Sequence, residues 1–206
     1  MPHLCAPAGE AVTQMIFTET QLPGVYIIDP ERREDDRGFF ARVWCRRELE
    51  EHGLNARVAQ VNAGFTHRKG GLRGLHYQLP PRQEAKLVRC TMGALLDVIL
   101  DLRPQSPTYR RWVGVELTAQ NRRLVYVPEG CAHGYQTLVD NTEMYYQTSE
   151  FYAADLARGV RYDDPAFAIG WPLPITNISA ADRSWPDYPV APLSYRGVAG
   201  TVRLSR

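Results

Sequence analysis

The sequence predicts an all-β chain: a mostly antiparallel sandwich or barrel with short peripheral helices and a loop-rich C-terminal region. Strand-length runs rich in Val, Ile, Tyr and Phe recur from residue 24 to residue 152, with turn residues between them. Stretches of good helix formers are few and short by comparison. From about Asp163 onward, Pro165, Pro172, Pro174, Pro186, Pro189 and Pro192 break up any regular element.

Taken in order, "GVYIID" (24–29) and "GFFARVW" (38–44) read as strands. "CRRELEEHG" (45–53) then gathers helix formers and ends on Gly53, a residue suited to a left-handed cap, so a short helix is expected. Strands resume with "RVAQVNAGF", "LRGLHYQ", "AKLVRCTMG" and "ALLDVILDL", and continue through "RWVGVEL", "RRLVYVP", "GYQTLV" and "TEMYYQTSEFY". "AADLARG" (153–159) repeats the glycine ending and predicts a second short helix. At 206 residues a single domain is expected, with a core over about 17–162 and a wrap over about 163–206.

The formal net charge is +1, so no global basic field argues for nucleic acid or an anionic membrane. An anionic substrate would have to be met by local arginines. Cys5, Cys45, Cys90 and Cys131 are scattered, without a C-x-x-C pair, and fit free thiols in a reducing cytoplasm. No apolar run approaches the roughly 18 residues of a membrane span, and no signal-like segment opens the chain, so a soluble cytoplasmic protein is expected.

The segment "GGLRGLHYQ" (70–78) carries the first candidate chemistry. In a regular strand Arg73, Leu75 and Tyr77 would share one face, and Gly74, His76 and Gln78 the other. A metal-binding barrel would present H-x-H and a nearby carboxylate. This chain offers H-x-Q with Glu84, and a neutral amide is a poor substitute for imidazole, so no metal is expected. His76 then reads either as a packed histidine or as a proton acceptor. Lys86 in "EAKLVRC" either snorkels to water or serves a site, and His133 in "VPEGCAHGYQ" either supports a turn or lines that site. The tyrosines of "TEMYYQTSEFY" fill the core or join it.

Together, "RGFF", "LRGLHYQ", "KLVRC", "DVILDLRPQSPTY", "RWVGVELTAQNRR", "VPEGCAHGYQTL" and "GVRYDDPAFAIGWP" resemble the dTDP-4-dehydrorhamnose 3,5-epimerase family. The likeness runs from about Gly24 to Pro186, with the segments in the family's order. It implies a cupin-like jelly roll, a homodimer with shared active sites, and no metal or redox cofactor. The implied substrate is a nucleotide-linked 4-keto-6-deoxyhexose, inverted at C3 and C5.

By the same resemblance His76 is the base, Tyr146 in "MYYQ" the acid, and Asp182 in "ISAADR" the carboxylate paired with the histidine. Lys86 stands beside the sugar, where an ammonium can stabilise an enolate. Arg73 and His133 match contacts to diphosphate and sugar, and Gln60 and Asn62 of "QVN" match the same pocket's lining. Tyr152 matches an aromatic near the base, while Arg37 and Phe40 match residues that the partner subunit delivers to the nucleotide. Arg42, counted with the nucleotide-binding residues, stands where thymidine-specific members carry glutamate. Ala157 replaces a glutamate, Ala181 replaces a lysine, and "QVNAGFTHRKGG" is about one residue longer than in the family. These departures leave the nucleobase open, with a CDP-linked sugar as one alternative. Epimerisation at one carbon and a non-catalytic sugar-binding cupin are the other readings.

Overall fold

The computed structural model describes residues 13–189, so Cys5, Pro192 and the tail expected beyond residue 189 lie outside it. In chain order the elements are β1 (Met15–Glu19), β2 (Tyr26–Pro30), β3 (Arg32–Asp35), β4 (Gly38–Ala41), α1 (Arg46–Glu51), β5 (Gln60–Thr66), β6 (Leu72–Gln78) and β7 (Lys86–Met92). There follow β8 (Ala94–Asp101), β9 (Trp112–Thr118), β10 (Leu124–Val127), β11 (Cys131–Thr137), β12 (Thr142–Thr148), β13 (Ala157–Gly159) and α2 (Ala180–Arg183). One sheet has the order β1-β2-β10-β7-β12-β5, and a second β13-β6-β11-β8-β9. All their pairings are antiparallel, and β3 and β4 form a separate hairpin. This is the two-layered jelly roll that the sequence predicted.

Period-2 alternation sends the side chains of these strands to three apolar layers. Between the sheets lie Val88, Cys90, Leu95, Ile99, Val125, Val127, Tyr135 and Met144. Outside the first sheet, Ile28, Leu87, Leu124 and Tyr126 are covered by Leu49 of α1, its one buried residue. Outside the second, Leu75, Val98, Leu100 and Ala132 are covered by Val160 and Phe167, with Trp171 and Tyr188 packed against them. The proline-broken segment after residue 159 therefore caps a sheet face. Among the described residues no helix is long and apolar enough to cross a membrane.

The helix expected over 153–159 is absent. Residues 154–156 form a turn, and β13 pairs Ala157 with Gln78 and Gly159 with His76 along the open edge of β6. Gln78 explains the outcome: its buried amide accepts from Ala153 N (2.6 Å) and donates to Phe151 O (3.2 Å) and Arg82 O (2.9 Å). A sheet edge and a buried amide satisfy more backbone groups here than two turns of isolated helix would. The unforeseen α2 is a single turn. Its Ser179 Oγ caps it by accepting from Asp182 N at 2.9 Å.

The strand reading also placed Arg73 and His76 on opposite faces, which the structure corrects. Opposite β6, His133 pairs with His76 and Tyr135 with Arg73, so three steps on β6 face two on β11. This bulge changes the parity of β6. Arg73 and His76 both turn into the cavity, and Leu75 between them is fully buried in the outer layer. Two glycines make room for the bulge. A Cβ on Gly134 would come within 2.7 Å of Arg73 O, and Gly74, at φ +110°, faces it.

Candidate active site

The bulge opens one end of the sandwich into a cavity of about 750 Å³, within the range that houses small-molecule ligands. Strands β5, β6, β7, β11, β12 and β13 supply its walls, and residues 177–185 its rim.

His76 Nε2 lies 2.6 Å from Asp182 Oδ1. The carboxylate accepts, so the proton sits on Nε2 and the lone pair of Nδ1 is left for a ligand. Asp182 is buried, and its second oxygen lies 3.4 Å from Gly74 N. Burial alone would raise this carboxyl, but the His76 hydrogen bond and charge, with Ser179 and the Gly74 N–H, hold it below the usual carboxylate range. The Ser179 cap and the Asn177 carbonyl, which accepts from Leu72 N at 2.7 Å, fix the Asp182 segment onto β6. Trp185 packs against Gly159, where a methyl group would overlap its indole. The dyad thus joins two segments more than one hundred residues apart.

Across the cavity, Lys86 and Tyr146 come from neighbouring strands. Thr148 pairs with Lys86 and Tyr146 with Val88, so the two side chains are diagonal neighbours on one inner face. Lys86 Nζ is paired with Glu84 Oε1 at 2.7 Å, with side-chain exposures of 6% and 11%. Tyr146 lines the cavity, and its ring centroid lies 6.4 Å from that of His133. Burial first, then the Glu84 carboxylate, push its phenol above the usual range, so at neutral pH it holds its proton.

His133 is buried opposite His76, and its Nδ1 lies 3.0 Å from Asp97 Oδ1. Arg73 donates from Nη2 to Phe65 O (2.9 Å) and from Nε to Thr66 Oγ1 (3.3 Å), which holds its guanidinium on the β5 side. Gln60 and Asn62 line the same wall, with Asn62 opposite Tyr146. Gln60 Oε1 accepts from Tyr152 N at 2.7 Å, setting Tyr152 at the rim, 68% exposed. Ala157 and Ala181 are also cavity residues.

Three expected residues stand apart from this cavity. Arg37 is on the exposed β3–β4 hairpin, held by Asp35, and Phe40 on the same hairpin is 70% exposed. Arg42 follows β4 and donates from Nη1 to Glu48 Oε1 (2.7 Å) and Thr13 O (2.9 Å). Glu48 offers it a shielded carboxylate, so that guanidinium nitrogen is engaged in the fold.

The strand reading overlooked Asp97, Arg158 and Trp185, and weighed Glu84 only as a metal ligand, not as the partner of Lys86. Asp97 carried a signal, because it interrupts the apolar run "ALLDVILDL". Glu84 carried another, two residues from Lys86 in a segment otherwise turning apolar. Nothing local marks Trp185, whose partner Gly159 is distant in sequence.

Comparison with known proteins agrees with this geometry. A family model described as dTDP-4-dehydrorhamnose 3,5-epimerase matches residues 19–189. The dTDP-4-dehydrorhamnose 3,5-epimerase of Sinorhizobium fredii is 39% identical over 195 residues, covering 92% of this chain and 98% of its own. The Bacillus anthracis enzyme of that name, solved with TDP and PPi bound, is 38% identical and matches with a TM-score of 0.82, over 85% of this chain and all of its own. ChmJ, a 3'-monoepimerase from Streptomyces bikiniensis solved with dTDP-quinovose, is 32% identical with a TM-score of 0.75, over 82% of this chain and 85% of its own. With its jelly roll, its cavity and this match over most of its length, the chain belongs to the dTDP-4-dehydrorhamnose 3,5-epimerase family.

Proposed function

We propose that the protein epimerises C3 and C5 of a dTDP-linked 4-keto-6-deoxyhexose, with His76 as base, Tyr146 as acid and Lys86 as the enolate's partner. The His76–Asp182 hydrogen bond, in a cavity shared with a protonated tyrosine, carries this reading. A ketone at C4 acidifies the hydrogens on C3 and C5. Nδ1 of His76 takes one of them, and Asp182 stabilises the resulting imidazolium. The negative charge left on the C4 oxygen falls to the Lys86 ammonium, a donor of the kind worth about 3 kcal/mol at a developing oxyanion. Tyr146 returns a proton to the opposite face of the carbon, which inverts it. Water then resets both groups.

Arg73, with its planar fork on the cavity wall, suits the diphosphate. Tyr152 at the rim suits the base, and Gln60, Asn62 and His133 suit the sugar and its linkage. The ChmJ likeness favours one second reading, inversion at a single carbon with the same base and acid. The test is a panel of dTDP-, CDP-, UDP- and GDP-linked 4-keto-6-deoxyhexoses with product stereochemistry read by NMR. The dTDP sugar should react fastest and emerge inverted at both centres. Inversion at one centre supports the second reading, and preference for another nucleotide overturns the dTDP assignment.

A homodimer completes the reading. Arg37 and Phe40 are not among the residues lining their own cavity, and the hairpin exposes Phe39 beside Phe40. The outer face of β5, β7 and β12 also leaves Val61, Phe65 and Met92 exposed, beside a cleft of about 270 Å³ lined by Val43, Leu87 and Tyr145. A second copy seated there would cover apolar surface and bring its hairpin toward this cavity.

A further inference from the structure

We propose that Glu84 is a positioning residue for this reaction, holding the Lys86 ammonium toward the sugar. The inference rests on the epimerase reading above. Its starting point is the Glu84–Lys86 pair, 2.7 Å apart and nearly enclosed in the cavity wall. A lysine so buried would be costly without a counter-charge. With Glu84 present, one N–H of the ammonium is engaged, and its other two can reach a substrate oxygen. Glu84 is itself steadied by Gln78 Nε2, 3.4 Å from Oε2. Gln78 also anchors the 151–153 segment, so the same amide serves the rim and the lysine's partner.

Several groups surround Tyr146. Glu84 and Lys86 approach from the β7 side, His133 and Tyr135 from β11, Arg73 from β6, and uncharged Asn62 faces it from β5. Glu84 is the anion among them that opposes a phenolate. During turnover His76 gains the substrate's proton, Tyr146 loses its own to the same carbon, and the phenolate is left beside Glu84. That repulsion drives Tyr146 to recover a proton from water while His76 gives its proton back to water, closing the cycle with no net proton change and Glu84 unchanged.

The experiment measures kcat and KM against pH for wild type, Glu84→Gln and Glu84→Asp. Removing the charge moves the alkaline limb of kcat to lower pH for Glu84→Gln, because the carboxylate that opposes a Tyr146 phenolate is lost. At neutral pH its kcat falls about tenfold, the worth of one charge-assisted hydrogen bond, with KM nearly unchanged. Glu84→Asp keeps the charge on a shorter arm: its limb stays near the wild-type position while kcat falls. An alkaline limb unmoved in Glu84→Gln, or wild-type kcat in Glu84→Asp, overturns the assignment. Wild type that turns over no 4-keto sugar overturns the epimerase reading and this inference with it. Active wild type with unaltered variants overturns only the role of Glu84.

Discussion

His76 has one nitrogen committed and one free, and that asymmetry is the chemical content of the site. Because Asp182 accepts from Nε2, replacing it with asparagine leaves a group that can present its N–H to the ring and favour the wrong tautomer. Asp182→Asn is expected to lower kcat by about 10²–10⁴-fold with a modest change in KM, measured by steady-state kinetics. Tyr146→Phe removes the proposed acid without disturbing the sheet, and should abolish inversion while substrate still binds. His76, Lys86 and Tyr146 were legible in the sequence because unusual residues stood in strand patterns and family motifs. Asp182, the partner of His76, was expected from the family resemblance, whereas the pairing of Lys86 with Glu84 and of His133 with Asp97 emerges only when the strands bring these charges together.

At the level of elements, the β6 bulge decides which side chains face the cavity. Gly134→Ala pushes a methyl group into the β6 backbone, and is expected to destabilise the fold by about 3 kcal/mol in urea unfolding, with the cavity residues displaced. The loop after β8 is a second fixed point. Asp101 is fully buried, and although burial opposes its charge, hydrogen bonds from Arg103, Ser106 and Thr108 bring its pKa down to about 2. Its folded value lies below its ordinary one of 3.8, so its contribution, on the order of 2 kcal/mol, is present above about pH 4. It is lost as pH falls toward 2. Asp101→Asn should flatten the acid side of the stability curve, read as melting temperature against pH.

Most strands and α1 followed from alternation and capping in the sequence. The bulge did not, because a one-residue excess is defined only against the partner strand. Residues 153–159 misled for a related reason: their composition suits a helix, yet Gln78 and the open edge of β6 decide their form. The burial of Cys90 and Cys131 pushes their thiols up to about 11 and about 12, so neither is a reactive thiolate at neutral pH.

For the whole molecule, the exposed hairpin and the apolar outer face predict a dimer. Sedimentation equilibrium should give twice the chain mass, and Phe40→Asp should weaken both association and nucleotide-sugar binding. The central claim is that His76 removes carbon-bound hydrogen from a 4-keto sugar. Incubating the dTDP-linked 4-keto-6-deoxyhexose with wild type in D₂O, with mass and NMR readout, tests it most directly. Deuterium at both C3 and C5 with wild type, and at neither carbon with His76→Ala, is the predicted result. A substrate that keeps both hydrogens with wild type, or exchanges them equally well with His76→Ala, would contradict it.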